Sequence, residues 1–327
     1  MQILGWRSNM KRFLLVVLVV ALVLSIFTSC APKDKEVAFP TKPIQFIVPW
    51  APGGGSDVAM RIVAQHAEKY LGQPVTVVNI PGVSGTIGLM ELTEKPADGY
   101  YIGLIHEGLV VAHHAGVTEL NYDSFIPIAN MTDTPQWLAA YADAPYDTIE
   151  EFYAYAQANP GKVNFGMTLK GVAHAWGASM AEQLGTEFNL IPYEGTGDRI
   201  KALAGGFIDV TVTDYASVVQ FVENGDLKLL AVCTEERNPA TPDLPTLIET
   251  GYDLVFSVRR GIVVPLETPD EIVEVLAKAL ADTAADPEFV TDLANMQIDT
   301  LYLDQTQYIN YMSTLDTNTA AIASQLQ

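Results

Sequence analysis

Three glycine-rich segments carry the pattern of residues best suited to chemistry in this sequence. They lie at residues 53–57, 82–86 and 168–173, each between a run of β-forming residues and a helical pattern. At the start of a helix the first backbone N–H groups have no partner inside the helix, and the helix dipole adds partial positive charge. Glycine lets an anion approach those N–H groups closely. The pattern therefore predicts that main-chain groups bind a small anion.

Binding of a nucleotide or a metal ion would require patterns that this sequence lacks. The phosphate-binding string G-x-x-x-x-G-K-[ST] does not occur, and Gly82, Gly85 and Gly88 form G-x-x-G-x-x-G instead of the dinucleotide pattern G-x-G-x-x-G. His113 and His114 are adjacent, so in a strand they would point to opposite faces, and the zinc string H-E-x-x-H is missing. We therefore expect neither a cofactor nor a metal ion.

A hydrolase is the alternative to simple binding. Ser84 or Ser179 would be its nucleophile, and His174, just after the third glycine-rich segment, would be its base. The nucleophile motif G-x-S-x-G is incomplete at both serines: the second glycine follows Ser84 directly, and Ala181 replaces it after Ser179. We therefore expect no enzymatic activity and keep the hydrolase as the rival hypothesis.

The composition narrows the possible partners. The chain has 327 residues, with 18 Lys and Arg against 39 Asp and Glu, a formal net charge of -21. Such an acidic chain is unsuited to nucleic acid, whose phosphates are bound through Lys and Arg. Its length suggests two domains of about 150 residues each. Its two cysteines, Cys30 and Cys233, are too few for a disulfide framework, and Cys233 reads as a small buried hydrophobic residue.

The first thirty residues have the order of a bacterial export signal. Three basic residues precede an apolar run at 13–27, which is shorter than the about 20 residues of a membrane-spanning helix. The run ends in Phe-Thr-Ser-Cys, which is similar to the lipobox of bacterial lipoproteins. We predict a lipoprotein signal peptide at 1–29, lipidation of Cys30 and a polar tether at 30–39.

Alternating strands and helices must position the three glycine-rich segments. In the first third, predicted strands at 44–48 and 75–78 are each followed by a glycine-rich turn and an amphipathic helix. The middle repeats this order, with strands at 163–166 and 208–213 around a helix at 172–184. Repeated strand–turn–helix units predict an α/β protein with parallel βαβ connections.

The ordered set of short motifs resembles one known family. The segment Pro-Thr-Lys-Pro-Ile, followed by Val-Pro-Trp-Ala-Pro-Gly-Gly-Gly-Ser-Asp, is similar to the start of the substrate-binding receptors of tripartite tricarboxylate transporters, the Bug-type proteins. Further matches follow in the family's order, and the resemblance spans nearly all of residues 40–327. The matching segments are 40–44, 48–57, 71–75, 79–88, 96–100, 159–163, 171–174, 193–195 and 203–209, with Gly261, Thr268 and Pro269.

The resemblance implies a fold, a function and a set of partners. The fold would be the type II periplasmic binding protein, in which two lobes of doubly wound sheet are joined by a hinge around a central ligand cleft. Lobe 1 would comprise 40–132 and 255–327, and lobe 2 would comprise 133–254. The protein would be a monomeric, non-catalytic receptor outside the cytoplasm, held at a membrane by its lipid. It would bind a di- or tricarboxylate, or a related small carboxylate, and deliver it to the transporter's permease subunits.

The resemblance also implies which residues bind the ligand. In the family, the first two glycine-rich turns bind a ligand carboxylate, largely through main-chain groups and ordered waters, and the second lobe contributes a third turn and a region around a tyrosine. The corresponding residues of this chain are Gly53, Gly54, Ser56, Asp57, Gly82, Val83, Ser84, Gly85, Thr86, Lys170, Gly171, Val172, Ala173, His174, Tyr193 and Glu194.

Two departures from the family pattern concern the far end of the ligand. Glu194 stands where the family commonly has a basic residue, and Arg259 stands where it often has tryptophan. Because basic residues are scarce in this chain, we expect Lys170 and Arg259 both to face the cleft. Arg259 would then pair with a second carboxylate of the ligand. Glu194 would pair with one of these cations or with a donor group of the ligand.

Overall fold

The β-forming segments assemble into two sheets in a computed structural model, which describes residues 38–321. The predicted signal peptide and the predicted lipidation site, Cys30, lie outside the described residues. The strands are β1 (Ile44–Val48), β2 (Val75–Asn79), β3 (Tyr101–Ile105), β4 (Phe125–Pro135), β5 (Trp137–Tyr141), β6 (Val163–Met167), β7 (Phe188–Pro192), β8 (Val210–Thr213), β9 (Leu227–Val232), β10 (Ser257–Pro265) and β11 (Asp299–Leu303).

Helices connect most of these strands. They are α1 (Gly55–Leu71), α2 (Thr86–Thr93), α3 (Glu107–His114), α4 (Ile149–Ala158), α5 (Val172–Leu184), α6 (Thr196–Ala204), α7 (Tyr215–Glu223), α8 (Asp270–Ala284), α9 (Pro287–Asn295) and α10 (Gln305–Ala321). Within residues 38–321, no helix combines the length and the apolar character needed to span a bilayer.

The strand order confirms the two-lobed α/β fold. The first lobe is built on a six-stranded sheet with the order β11-β4-β10-β3-β1-β2, and the second on a five-stranded sheet with the order β7-β6-β8-β5-β9. Strand β1 pairs in parallel with β2 and β3, and β6 pairs in parallel with β7 and β8, as the βαβ pattern predicted. The sequence pattern did not predict that other strands pair antiparallel with their neighbours, as β4, β5, β9, β10 and β11 do.

Burial on both faces explains why β1 is apolar almost throughout. Successive side chains of a strand point to opposite faces, yet Phe46 and Ile47 are 0% and 1% exposed. Phe46 packs in a cluster with Met60 of α1, whereas Ile47 packs with Leu89 of α2. Helices thus cover both faces of the strand, as is usual for parallel sheets, and the strand ends are the parts left for a site.

The chain passes between the lobes at two places that lie side by side. The first passage is Gln136, between β4 and β5, and the second runs through 233–256. Cys233 N–H donates to the Gln136 carbonyl at 2.8 Å, and Phe256 N–H donates to the Cys233 carbonyl at 2.7 Å. We propose that these adjoining passages form the hinge. The lobe boundaries predicted near residues 133 and 254 remain a proposal.

The start of α1 has no side-chain cap. Serine and aspartate are common N-cap residues, but the helix begins at Gly55 with Gly54 as its N-cap, before Ser56 and Asp57. The Asp57 carboxylate instead accepts a hydrogen bond from the N–H of Gly53 at 2.9 Å. The helix start therefore consists of backbone and small residues.

Helix α3 is an element that the sequence analysis missed. It carries His113 and His114 in its last turn, so these histidines are helical and do not lie in a strand. Nε2 of His114 lies 2.8 Å from a carboxylate oxygen of Asp316, in α10. This contact gives His114 a role in packing the two helices.

Candidate functional site

The two sheets direct strand ends towards a shared cleft. Its volume is about 730 Å³, part of which is open to solvent. Trp50 and His106 of the first lobe line it just after β1 and β3, and Thr168 and Asp214 of the second lobe line it just after β6 and β8. Ligands of α/β proteins bind at the carboxyl ends of parallel strands, where turns and helix starts meet. The cleft is therefore the candidate binding site.

Five helices start at the wall of the cleft. The N-cap residues of α1, α3, α5, α6 and α7 all line it: Gly54, His106, Gly171, Gly195 and Asp214. No side chain caps the three helices that start after glycine. Each helix start carries a partial positive charge of roughly half an electron charge and leaves N–H groups unpaired within the helix. Their convergence makes the cleft suited to an anion.

Arg260 is buried in the wall that the first lobe contributes. Its residue is 3% exposed. Nε donates to the Ser56 hydroxyl at 3.0 Å, and a terminal nitrogen donates to the Thr134 hydroxyl and, at 3.5 Å, to the Val258 carbonyl. Burial lowers the pKa of Arg260, while the charges of nearby carboxylates, Asp214 first among them, oppose this shift. All the hydrogen-bond partners of this guanidinium are neutral oxygens.

Arg199 occupies a similar position in the second lobe. It is 4% exposed, and its terminal nitrogens donate to the Thr168 hydroxyl at 3.2 Å, the Thr196 hydroxyl at 3.5 Å and the Val212 carbonyl at 3.3 Å. Its Nε is buried and has no hydrogen-bond partner among the described residues. Burial lowers the pKa of Arg199 to about 10, and the charge of Asp214 opposes this. The side chain therefore stays cationic at neutral pH.

Neither of these guanidiniums forms an ion pair inside the described part of the chain. The arginines that do pair with a carboxylate within 4.0 Å are Arg61, Arg237 and Arg259. Burying a cation without a counter-charge is costly. Two such cations in one cleft give it a strong preference for an anionic occupant.

Asp214 is the carboxylate in the cleft wall, and its charge serves a helix start. One carboxylate oxygen accepts hydrogen bonds from the N–H and the hydroxyl of Ser217, at 3.0 and 2.9 Å. The residue is 4% exposed and caps α7. Because an N-cap carboxylate is stabilised by the helix dipole, Asp214 offsets the positive end of α7 more directly than it offsets either arginine.

His106 contributes an uncharged polar group to the cleft. Its ring stacks on Trp50 with centroids 3.9 Å apart and an interplanar angle of 21°. Burial, together with the charge of Arg260, lowers the pKa of His106 well below its usual value. Nδ1 accepts a hydrogen bond from the N–H of Gly108 at 2.8 Å, so the neutral ring carries its hydrogen on Nε2. The ring can thus donate without adding charge.

Part of the predicted site lies at the cleft. Of the predicted residues, those that line it are Gly54, Ser56, Ser84, Gly171, Val172 and Ala173. The other predicted residues are absent from the lining that the described residues form. They are Gly53, Asp57, Gly82, Val83, Gly85, Thr86, Lys170, His174, Tyr193, Glu194 and Arg259.

Asp57 supports the first turn from behind. Its carboxylate accepts from Gly53 N–H and, at 2.8 Å, from the Asn79 side-chain amide, and it pairs with Arg61 at 2.9 Å. These contacts use the carboxylate inside the first lobe. We infer that it shapes the turn around Gly54 without contacting a ligand.

The second glycine-rich turn brings the lobes together. Ser84 donates its hydroxyl hydrogen to the Leu169 carbonyl, in the second lobe, at 2.8 Å. Gly85 has a φ of +89°, and a Cβ added there would lie 2.9 Å from the Trp50 ring. Thr86 donates to the Val83 carbonyl at 2.9 Å. The turn thus supports Trp50 and joins the lobes, and Ser84 is its residue in the cleft wall. The direct ligand contact that the resemblance implies for this turn stays a prediction.

The two basic residues predicted to face the ligand have other partners. Lys170 donates to the Ala115 carbonyl, at the end of α3, at 3.0 Å. Nε of Arg259 lies 3.3 Å from the Asp133 carboxylate, and its guanidinium lies 4.5 Å from the centre of the Tyr311 ring. Period-two alternation along β10 places Arg260, and not Arg259, at the cleft. Arg260 is therefore the one of these two arginines that lines the cleft among the described residues.

Glu194 and Tyr193 lie at the edge of the site. Glu194 is exposed, and no ion pair links it to Lys170 or Arg259 among the described residues. The backbone N–H of Tyr193 donates to the Met167 carbonyl at 2.8 Å, and its ring packs against the core of the second lobe. Gly195, next along the chain, is the residue of this turn that reaches the cleft.

The hydrolase hypothesis gains no support from the geometry. Nδ1 of His174 accepts from the Lys170 N–H at 3.1 Å, and Ser84 donates to the Leu169 carbonyl. Within residues 38–321, neither Ser84 nor Ser179 hydrogen-bonds to His174. Nor do these residues contain a group of three His, Cys, Asp or Glu placed to hold a metal ion.

Arg199 and Arg260 were not among the residues predicted from the sequence, although weak signals for both were present. Arg199 is four residues before Leu203 and therefore shares the core-facing side of α6. Arg260 follows Arg259 in a β-rich run, so only one of the two can face a given side. Spacing alone could not tell which side would be the cleft.

Comparison with known proteins agrees with this architecture. A sequence-family model described as the tripartite tricarboxylate transporter family receptor matches residues 59–326. A UPF0065 protein from the gbd 5′ region of Cupriavidus necator is 32% identical over 298 residues, which cover 89% of this chain and 88% of that protein.

Solved structures share the fold. The periplasmic binding protein BugD superimposes with a TM-score of 0.81 at 28% identity, over 88% of this chain and 98% of that chain. MatC from Rhodopseudomonas palustris, solved with bound malate, gives a TM-score of 0.80 at 24% identity, over 87% of this chain and 100% of that chain. At the latter identity the likeness concerns the fold.

Proposed function

This chain belongs to the tripartite tricarboxylate transporter receptor family, and we propose that it is a lipid-anchored extracytoplasmic receptor for a small organic acid. It binds the acid in the cleft between its lobes and delivers it to a membrane permease of the tripartite type. It carries out no reaction on the ligand.

The observation that carries this proposal is the positive character of one cleft. Five helix starts line the same space as two buried guanidiniums that have no carboxylate partner within residues 38–321. Main-chain N–H groups and guanidinium N–H groups both bind carboxylates well. The turns of both lobes face each other across this cleft, which is the setting in which small ligands bind.

Contacts between the lobes support a binding cycle of opening and closing. Ser84 of the first lobe donates to the Leu169 carbonyl, and Lys170 of the second lobe donates to the Ala115 carbonyl. A bound anion that touches both lobes would favour the arrangement in which these bonds form, as in hinge closure. The closed receptor would then present a surface that a permease recognises.

The membrane anchor and location are proposed from the N-terminal sequence. The basic, apolar and Ser-Cys order at 1–30 is typical of a lipoprotein precursor. Diacyl modification of Cys30 would hold the receptor near its permease, because two acyl chains give stable anchoring. The rest of the protein would act as a monomer outside the cytoplasm.

Thermal unfolding with a panel of organic acids tests the receptor function. A ligand at 100 times its Kd stabilises the folded state by about 2.7 kcal/mol. We expect at least one acid to raise the Tm and to be recovered chemically unchanged by mass spectrometry. Conversion of the acid would indicate an enzyme, and the absence of stabilisation by every acid would contradict the proposal.

Substitution of Cys30 tests the anchor. In Cys30→Ala we expect an unprocessed precursor or a released protein that lacks lipid, because no thiol is left to acylate. Cys233→Ala is the control, since Cys233 is fully buried and lies far along the chain. Intact-mass analysis of membrane and soluble fractions gives the measurement. A Cys30→Ala protein that is still processed and acylated would refute the anchor.

A further inference from the structure

The charged side chains of the cleft wall specify the number of acid groups on the ligand. Among the described residues, these side chains are Arg199, Arg260 and Asp214. Resting on the receptor function proposed above, we propose that Arg199 and Arg260 are the residues that select the ligand by its charge, each binding one acid group from its own wall of the cleft. A monocarboxylate of the same shape would leave one guanidinium without a counter-charge.

The two guanidiniums belong to opposite walls. The hydrogen-bond partners of Arg199 lie in the second lobe, on Thr168, Thr196 and Val212. The side-chain partners of Arg260 lie on Ser56 and Thr134, in α1 and β4 of the first lobe. The two arginines share no partner. A ligand with two acid groups can therefore place one against each lobe.

Asp214 does not remove the need for two acid groups. It has no oxygen within 4.0 Å of either guanidinium, and its hydrogen bonds go to Ser217 at the start of α7. The further helix starts at Gly54, Gly171 and Gly195 add positive potential that no side chain caps. The cleft thus retains an excess of positive charge for the ligand.

Burial makes the second acid group important. Arg199 and Arg260 are 4% and 3% exposed, so water can compensate their charge only poorly. A guanidinium binds a carboxylate through paired N–H donors, and removing one partner of a desolvated pair leaves the other uncompensated. Exchanging one carboxylate of the ligand for a neutral amide keeps its shape and removes one such pair.

Calorimetry with matched ligands provides the test. Succinate, glutarate and adipate are each compared with their own monoamide, which has the same shape and one charge fewer. For the best-fitting diacid we expect binding at least tenfold tighter than for its monoamide, about 1.4 kcal/mol. In Arg199→Gln and in Arg260→Gln this advantage should fall below about threefold, because one counter-charge is gone.

Each variant has a matched control. Lys201→Gln changes an exposed cation on the same helix as Arg199, and Arg259→Gln changes the cation next to Arg260. Both controls should keep the full preference for the diacid. Thermal unfolding checks that each variant is folded. Should Arg199→Gln or Arg260→Gln not fold, the diacid and monoamide comparison in the wild-type protein still decides whether charge number matters.

The outcomes separate this assignment from the receptor function. If the wild-type protein binds diacid and monoamide equally and Arg199→Gln and Arg260→Gln bind like wild type, the assignment fails while the receptor function stands. If the wild-type protein binds none of these acids but binds another acid of the thermal-unfolding panel, the assignment fails and the receptor function stands; if no acid of that panel binds, both fail. If inorganic sulfate binds as tightly as the best diacid and also depends on both arginines, the guanidiniums converge on one group, and the dicarboxylate assignment is wrong.

Discussion

The cleft and the polar network behind it bury charge in two different ways. We call the residues Glu107, Asp133, Arg259 and Tyr311 the hinge network, because they tie α3, β4, β10 and α10 together near the passages between lobes. In this network Arg259 pairs with Asp133, and Glu107 accepts hydrogen bonds from the Arg259 N–H at 2.9 Å and the Tyr311 hydroxyl at 2.6 Å. In the cleft, Arg260 has only neutral oxygens as partners.

Adjacent arginines on one strand thus differ in where their counter-charge lies. Arg259 finds it within the protein, and its charge contributes to structure. Arg260 has none within 4.0 Å among the described residues, and its charge is left for a ligand. A basic residue near a cleft is therefore a good candidate for binding an anion only if the protein does not already supply its counter-charge. The number of basic residues near the cleft is a weaker guide.

The largest expected effect separates the roles of these two arginines: substitution of Arg260 should change ligand binding, and substitution of Arg259 should change stability. Arg260→Gln should weaken binding of a dicarboxylate by about 2–5 kcal/mol, since it removes a desolvated counter-charge. Its free energy of unfolding without ligand should stay within about 1 kcal/mol of wild type or rise, because an uncompensated buried cation is lost. Calorimetry and urea unfolding measure the two quantities.

Arg259→Gln should behave in the opposite way. It breaks a partly exposed ion pair with Asp133 and should lower the free energy of unfolding by about 1 kcal/mol, while affinity stays within about threefold. If Arg259→Gln weakens binding as much as Arg260→Gln, the distinction between cleft and hinge network is wrong.

A second prediction concerns the pH dependence of the hinge network. Burial, the largest cause, raises the pKa of Glu107 from 4.5 to about 7, although hydrogen bonds from Tyr311 and Arg259 oppose it. Between these two values the folded state keeps a proton that the unfolded state has lost. Stability should therefore fall as the pH rises from about 4.5 to 7, by about 3 kcal/mol from this group, and then level off.

Glu107→Gln should remove that part of the pH dependence. Its neutral amide retains an oxygen acceptor for Tyr311, so the variant should unfold at higher urea than wild type at pH 8 and similarly at pH 4.5. Glu274→Gln, at an exposed position of α8, is the control, and its free energy of unfolding should depend on pH as in the wild type. If the free energy of unfolding depends on pH in the same way in wild type and in Glu107→Gln, the proposed titration of this carboxylate is wrong.

The smallest expected effect tests how closely the backbone at the start of α1, in the first lobe, approaches the wall of the second lobe. A Cβ added at Gly55 would clash with the carboxylate of Asp214 in the opposite lobe, whereas one added at Gly54 would lie 3.6 Å from the nearest atom, on Thr196. Gly55→Ala should therefore weaken binding at least tenfold, about 1.4 kcal/mol, by keeping the lobes apart. Gly54→Ala should change affinity by less than about threefold, and equal affinities would contradict this view of closure.

Sequence patterns predicted much of the scaffold. The limits of β1 and of α5, with Gly185 ending the latter in a left-handed conformation, follow from apolar periodicity and glycine. Helix α3, the long strand β4 and the antiparallel pairing of β10 were missed. Their stability comes from pairing between segments more than a hundred residues apart, such as Val263 of β10 with Gly103 of β3. Local patterns do not report such pairing.

The sequence by itself determined the class of the protein and the type of group that would bind an anion. A helix that starts after a glycine-rich turn leaves its first backbone N–H groups without partners inside the helix. All three predicted turns reach the cleft, through Gly54, Ser84 and Gly171.

Only the tertiary structure decided which charged side chains stand beside those turns. Arg199 and Arg260 are far apart in sequence and carry no motif, and they reach one cleft because two lobes fold against each other. Which arginine is available to an anionic ligand depends on the alternation of side chains along the strand and on where neighbouring carboxylates lie in space. That is why Arg260, and not the adjacent Arg259, is left with a charge for the ligand.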